Sequence, residues 1–385
     1  MHDAQCRSIH DARCRKIYDA GATRQNSECQ ALRDWTAVID HTNTDYAGYD
    51  AARSSVAVGP RGARGWLRLE GADAVSFLHG VLTNDIASLR VGQWCYAAYL
   101  TPQGRMVSDM RVLRRDDDLA LEMEPQVAET VAARFDASIF TERVEIRPGE
   151  AWGRHSHDGG ERTRSGPDSI VVCGPGAQQA LTKILGADAA VPFQPHEFAE
   201  VDRNGERLIL IGHDDLGLPA VDVLGSASAC DALAVDLRGA GAQLLGAHAV
   251  EALRIEAGTP RFGVDMTGDT IPLEAGIEGR AISMTKGCYV GQEVIIRILH
   301  RGHGRVARRL AGLMVGGALV PPAGSPLAVD GREVGAVTSA AFSPRLRRPI
   351  AFGYLHRDFV ADGTPVTILP AGTPAVVTAL PFAPS

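Results

Sequence analysis

Two α+β units followed by a small β-barrel is the fold class that this sequence predicts. Three observations carry it. Strand, helix, strands, helix and strand succeed one another between Trp66 and Arg147, the order of a split β-α-β sandwich. A second unit of similar kind begins at Ser169. From Leu310 onward the spacing changes to about six short strands between Gly/Pro turns, the pattern of a small barrel. A chain of 385 residues is also too long for one ordinary core, so several domains are expected.

Composition narrows the function classes. With 45% hydrophobic and 22% charged residues the chain reads as a soluble globular protein. A net charge of −7 leaves no global basic footprint for nucleic acid. Seven cysteines without a CxxC pair form neither a disulfide framework nor a zinc motif, and a reducing cytoplasm is the expected location. No run approaches the roughly 18 apolar residues of a membrane span, and no apolar signal core follows the start.

Residues 1–45 differ from the rest. His2-Asp3-Ala4-Gln5-Cys6-Arg7-Ser8-Ile9 recurs as His10-Asp11-Ala12-Arg13-Cys14-Arg15-Lys16-Ile17. A period of eight suits neither helix nor strand, and the segment is polar, so a disordered tail is expected. It reads as a translated upstream repeat with the true start further in. Order is expected from Tyr49, with a first unit over residues 46–148.

Within that unit Trp66 to Leu69 is a strand. Ala74, Phe77, Leu78 and Val81 form one apolar helix face. Trp94 to Leu100 and Arg105 to Leu113 flank the turn Thr101-Pro102-Gln103-Gly104 as a hairpin. Asp118 to Met123 is a further strand, and Pro125 opens a helix carrying Val127, Val131 and Phe135. Gly149 to Asp168 reads as a solvated loop despite His155 and His157.

The second unit, residues 149–305, has a strand at Ser169 to Cys173 and a helix from Ala177 to Leu185 ended by Gly186. Paired strands at Arg207 to Ile211 and Ala220 to Leu224 precede helices at Ala227 to Leu237 and Ala249 to Ala257. The barrel takes residues 306–385.

One stretch concentrates reactive groups: Lys286-Gly287-Cys288-Tyr289-Val290-Gly291-Gln292-Glu293. Its glycines allow a sharp turn or close approach. Lys286, two residues from Cys288, is a cation of the kind that stabilises a thiolate. A buried cysteine in a tight turn is the plainer alternative. The following Arg297, His300, Arg301, His303, Arg305, Arg308 and Arg309 form either a solvated loop or a holder of carboxylates or phosphate.

The octet, as K-G-C-Y-x-G-Q-E, resembles the signature of the YgfZ family of folate-binding proteins, which is related to the aminomethyltransferase of the glycine cleavage system and to a mitochondrial iron–sulfur assembly factor. Leu69-Glu70-Gly71-Ala72-Asp73, Leu82-Thr83-Asn84-Asp85 and Leu100 to Arg105 are similar to the superfamily's N-terminal blocks. Arg254-Ile255-Glu256-Ala257-Gly258 with Pro260-Arg261-Phe262-Gly263 resembles its helix and turn beside a central folate cavity. Gly335 to Ala340 resembles its barrel. The resemblance covers residue 49 to the end.

What the resemblance implies is two α+β subdomains around a folate cavity, with tetrahydrofolate or a derivative as cofactor. Lys286, Tyr289, Gln292, Glu293, Arg254, Arg297 and Asp109 are the implied binding residues, and Asp265 and Glu274 are further candidates for facing a ligand. Transferases of the superfamily carry two consecutive aspartates where this chain has Ser108 and Asp109. Asp109 is therefore the candidate acid and Cys288 the candidate reactive thiol. The leading expectation is a folate-binding accessory factor for iron–sulfur cluster assembly or repair. It would support tRNA thiomethylation, with iron–sulfur proteins or their assembly machinery as partners. One cysteine cannot hold a cluster alone. The alternative is a tetrahydrofolate-dependent aminomethyl- or methyltransferase. Direct nucleic-acid binding through Arg297 to Arg309, the weakest reading, would show a steep salt dependence. No membrane association is expected.

Overall fold

The structure is a computed structural model and describes residues 47–149, 168–187, 189–192, 194–301 and 304–382. The readings made on residues 1–45, on His155 and His157, and on His303 lie outside the described residues. All described residues fall within one compact unit.

The ordered chain opens with helix α1 (Ala47–Ser54) and strand β1 (Ala57–Pro60). Then come β2 (Gly65–Glu70), α2 (Ala74–Val81), β3 (Trp94–Leu100), β4 (Met106–Arg114), β5 (Asp118–Met123), α3 (Ala128–Asp136) and β6 (Glu145–Pro148). A five-stranded sheet in the order β3-β4-β5-β2-β6 results, with α2 and α3 packed on one face. Leu69, Leu78, Leu82, Val131 and Phe135 are wholly buried there. Apolar residues at helical spacing on α2 and at alternate positions on the strands meet in that layer.

The second unit holds β7 (Asp168–Cys173), α4 (Ala177–Leu185), β8 (Phe198–Arg203), β9 (Glu206–His213), β10 (Ala220–Gly225), α5 (Ala227–Gly239), β11 (Gln243–Leu244) and α6 (Ala247–Glu256). Its sheet runs β11-β1-β7-β10-β9-β8. The two sheets meet through Trp66, Trp94, Leu113 and Ala120 on one side and Phe198, Ile209, Ile211 and Leu224 on the other. The Trp94 indole N–H donates to the Gly212 carbonyl at 3.0 Å, which satisfies the ring's polar tip inside this apolar layer.

Short helices α7 (Pro272–Ala275), α8 (Glu278–Ala281) and α9 (Gln292–Ile296) lead into the barrel. Strands β12 (Arg308–Val315), β13 (Pro326–Val329), β14 (Arg332–Ser343), β15 (Arg348–His356), β16 (Pro365–Ile368) and β17 (Thr373–Thr378) close in the order β12-β15-β14-β13-β16-β17. The six expected strands are present. β14 runs further than its apolar pattern suggested because a bulge between Val337 and Ser339 lets pairing with β15 continue.

Two features depart from the expected layout. Strand β1 precedes the first sheet in sequence but pairs antiparallel with β7 and parallel with β11, so residues 47–60 build the second sheet, not the first. Strand β8, with the polar run Ala199-Glu200-Val201-Asp202, was not anticipated. It is an edge strand held by pairing with β9, where pairing outweighs a weak local preference.

Candidate functional site

A cavity of about 290 Å³ opens where the two sheets, α6 and α8 converge, at the lower edge of the ~300–1,000 Å³ common for ligand pockets. Alternation along β4 brings Asp109 and Arg111 to it, and β5 contributes Glu122. Tyr96 joins them from β3, where it pairs with Arg111 in register. Arg61 and Arg64 enter from the segment after β1, Asp215 from the β9–β10 loop, Arg254 from α6, Arg261 just beyond it, and Arg280 from α8.

Asp109 is the chemical centre of this wall. The Tyr96 hydroxyl donates to its Oδ2 at 2.6 Å. Burial raises the Asp109 carboxyl to about 6, opposed by the Tyr96 hydrogen bond and the Arg64 charge and reinforced by Glu124 and Glu122. Burial and Asp109 together push the Tyr96 phenol well above its ordinary range, so it stays a donor. The Arg280 guanidinium lies over the Tyr96 ring at 5.3 Å. Ser108 is buried but not among the lining residues, and its hydroxyl donates to the Asp109 carbonyl at 2.6 Å.

Behind Asp109 runs a buried charge network. Arg111 donates to Asp222 at 2.7 Å and Asp215 at 2.8 Å, and lies over the Trp94 ring at 5.2 Å. Arg280 also donates to Asp215. His213 Nε2 faces Asp222 Oδ1 at 3.0 Å, and His213 Nδ1 accepts from the Asp215 N–H. Arg111, Arg280 and His213 hold the Asp215 carboxyl far below its usual range despite burial. Arg61, Arg64, Tyr96, Arg111, Glu122, Asp215 and Arg280 were not singled out from sequence. Arg111 and Glu122 carried a signal: each is a charge flanked on its strand by apolar residues, Met110 and Val112 for the one and Leu121 and Met123 for the other.

Arg254 lines the cavity, but its five N–H groups are all engaged. They meet Glu251 at 3.0 Å from Nε and again from Nη2, Thr259 O at 2.7 Å, Asp265 at 2.7 Å and Ser339 Oγ at 2.9 Å. No donor remains for a ligand, which corrects the expectation that Arg254 binds one. Asp265 is corrected likewise. It accepts from Arg254, the Arg261 N–H, Thr338 and Ser339, and so ties the barrel to α6. Glu274 faces a different groove and pairs with Arg308 at 3.2 Å.

The octet sits elsewhere. Lys286, Cys288, Tyr289, Gln292 and Glu293 are absent from the cavity wall. The Lys286 ammonium donates to the carbonyls of His79, of Leu82 at 2.6 Å and of Asn84 at 3.2 Å, capping the end of α2. Burial lowers its pKa to about 8. Those carbonyls, not the Cys288 sulfur, are its hydrogen-bond partners. Tyr289 is buried against Leu100, Met106, Phe262 and Ile295, with Lys286 over its ring at 5.2 Å. Cys288 is exposed. Gln292, Glu293 and Arg297 line a shallow groove along α9. Gly291, at φ +82°, brings the octet onto the β3–β4 turn, where a Cβ would lie 2.5 Å from the Thr101 carbonyl oxygen.

Among the described residues no group of three His, Cys, Asp or Glu side chains is placed to hold a metal ion, and no helix is long and apolar enough to cross a membrane.

Residues 42–286 match the GCVT N-terminal domain family and residues 308–383 the glycine cleavage T-protein C-terminal barrel domain. An aminomethyltransferase of Streptomyces avermitilis is 30% identical over 364 residues, spanning 89% of this chain and 93% of that protein. One from Rubrobacter xylanophilus is 28% identical over 342 residues, spanning 88% and 87%. The solved structure of the glycine cleavage system aminomethyltransferase T from Bartonella henselae superposes with a TM-score of 0.73 at 22% identity, covering 88% of this chain and 89% of that one, which shows the shared fold. With both domains matched in order over most of its length, the chain belongs to the GCVT (glycine cleavage T-protein) family.

Proposed function

We propose that this protein binds tetrahydrofolate or a close derivative in the cavity between its sheets and transfers a one-carbon unit to or from it. The observation that carries the reading is Asp109: a buried carboxyl on the cavity wall, raised to about 6 and held by Tyr96 at 2.6 Å. A group that titrates near neutrality suits proton transfer. The relatives named aminomethyltransferase point the same way.

The donor set fits a folate. Asp109 offers carboxylate oxygens to ring N–H groups, and Tyr96 beneath Arg280 offers a flat apolar surface beside them. Bound tetrahydrofolate would supply the nucleophilic amine. Asp109 would accept a proton from that amine as the bond between the one-carbon unit and its donor's leaving atom breaks, Tyr96 orients the carboxylate, and the Arg111–Asp215–Arg280 network holds both in place. Single-turnover transfer of a labelled aminomethyl or methyl group to tetrahydrofolate tests this. Wild type should label the folate, and Asp109→Asn should lose about 100-fold or more in rate. Wild type that binds folate but transfers nothing overturns the transferase reading.

A second reading has its own observation. The octet that resembles the YgfZ signature leaves Cys288 exposed and outside the cavity, where a partner protein can reach it. This favours a folate-binding accessory factor for iron–sulfur enzymes, acting in the cytoplasm and indirectly on tRNA thiomethylation. Cells lacking the gene, supplied with wild type, Cys288→Ala or Asp109→Asn, separate the two. Loss of [4Fe–4S] enzyme activity with Cys288→Ala alone supports the accessory factor; loss with Asp109→Asn alone supports the transferase.

A further inference from the structure

Six arginines line the cavity, and their partners divide them. Arg64 donates to Glu122 and to Glu124 at 2.6 Å, Arg111 to Asp222 and Asp215, Arg280 to Asp215, and Arg254 has every donor engaged. Arg61 is different. Its side chain is only 19% exposed, yet its closest carboxylate contact, Nη2 to Asp222 Oδ2 at 3.4 Å, is an ion pair without hydrogen-bond geometry. That oxygen already accepts from Arg111 at 2.7 Å, and the other Asp222 oxygen faces His213. Among the described residues the Arg61 guanidinium therefore makes no side-chain hydrogen bond, while its backbone is fixed by the Arg61 N–H donating to the Ser169 carbonyl at 2.9 Å.

A mostly buried guanidinium with open donors is costly unless something pairs with it. Its planar fork suits a carboxylate or another oxyanion taken in bidentate fashion. Arg64, Arg111, Arg254 and Arg280 cannot substitute, because each is locked to carboxylates of the wall, whereas Arg261, 46% exposed, can satisfy its donors in water. We infer that Arg61 is the specificity-determining residue of this cavity and receives an anionic group of the ligand. This rests on the reading of the cavity as the ligand site. For a folate, the anionic groups are the carboxylates of its glutamyl tail, so Arg61 would distinguish a folate from a bare pterin.

Equilibrium binding tests it with two probes, 5-formyltetrahydrofolate and a tetrahydropterin without the glutamyl tail, on wild type, Arg61→Gln and Arg61→Lys. Wild type should prefer the carboxylated probe. Arg61→Gln should weaken that probe by roughly 10- to 100-fold and leave the pterin unchanged, and Arg61→Lys should restore part of the loss. Equal affinity of wild type and Arg61→Gln for 5-formyltetrahydrofolate overturns the assignment. So does an equal loss for both probes, which marks a structural role. If wild type binds neither probe, the folate reading fails on its own. The anion site is then read from thermal stabilisation by glutamate or inorganic phosphate. Stabilisation of wild type that is lost in Arg61→Gln supports it, and none in wild type overturns it.

Discussion

The Tyr96 hydroxyl and the Asp109 carboxylate meet at 2.6 Å across the β3–β4 pair, with Asp109 raised by burial to about 6. The hydrogen bond favours the ionised form and burial the neutral one, and burial wins. Tyr96→Phe removes the opposing interaction, so the Asp109 pKa should rise further. In the transferase reading Asp109 works as a carboxylate. The rate of wild type should therefore climb with pH through about 6, and that of Tyr96→Phe through a higher pH. A pH–rate profile with coincident limbs for the two proteins would refute the coupling.

The same shift makes a stability statement. The folded protein holds the Asp109 proton to about pH 6, whereas the ordinary carboxyl releases it near 3.8. Between those values the folded state binds more protons than the unfolded one, so this contribution is complete below the lower value and is lost as pH rises through about 6. Asp109→Asn should remove that term and be more stable than wild type at pH 8, by up to about 3 kcal/mol, with little difference at pH 4. Urea denaturation at both pH values measures it.

Asp265 is buried and accepts from Arg254, Thr338 and Ser339. Asp265→Ala should destabilise by about 3–5 kcal/mol because it leaves the Arg254 charge buried and under-paired. The denaturation midpoint should fall without loss of the native circular-dichroism spectrum at low urea.

Gly291 holds φ +82° with the Thr101 carbonyl against its missing Cβ. Gly291→Ala combines backbone strain with a clash against main chain, and about 1–3 kcal/mol of destabilisation is expected. A Gly279→Ala control, where a Cβ meets open space, should change stability much less in the same melting experiment.

Lys286 donates to carbonyls at the end of α2 instead of to Cys288. Lys286→Met should cost about 1–3 kcal/mol through the carbonyls it strands, yet leave the alkylation rate of the exposed Cys288 unchanged in the folded protein. A marked slowing of alkylation would restore the thiolate-stabilising role that sequence proximity suggested.

Local pattern made the architecture legible. Helical spacing of Ala74, Phe77, Leu78 and Val81, alternation through β3 to β5, and Gly/Pro punctuation from Leu310 onward each depend on nearest neighbours, and each marks a real element. The octet and the blocks around Leu69 and Arg254 likewise pointed to the superfamily, because motifs of that kind are contiguous. Asp109, singled out from the same kind of contiguous block, lies on the cavity wall.

The composition of the cavity was not legible, because its wall is assembled from segments far apart in sequence. Whether Arg254 serves a ligand or the fold depends on Asp265, Thr259 and Ser339 meeting its donors, and whether Lys286 serves Cys288 depends on where the end of α2 lies. By itself the sequence determined two α+β units, a barrel and an acid on β4. Only the tertiary structure decided which charges pair. It moved β1 into the second sheet, turned the octet away from the cavity, and left Arg61 beside an aspartate already engaged by Arg111. The reason is physical: secondary structure answers to local spacing, whereas charge pairing inside a protein answers to distance and burial.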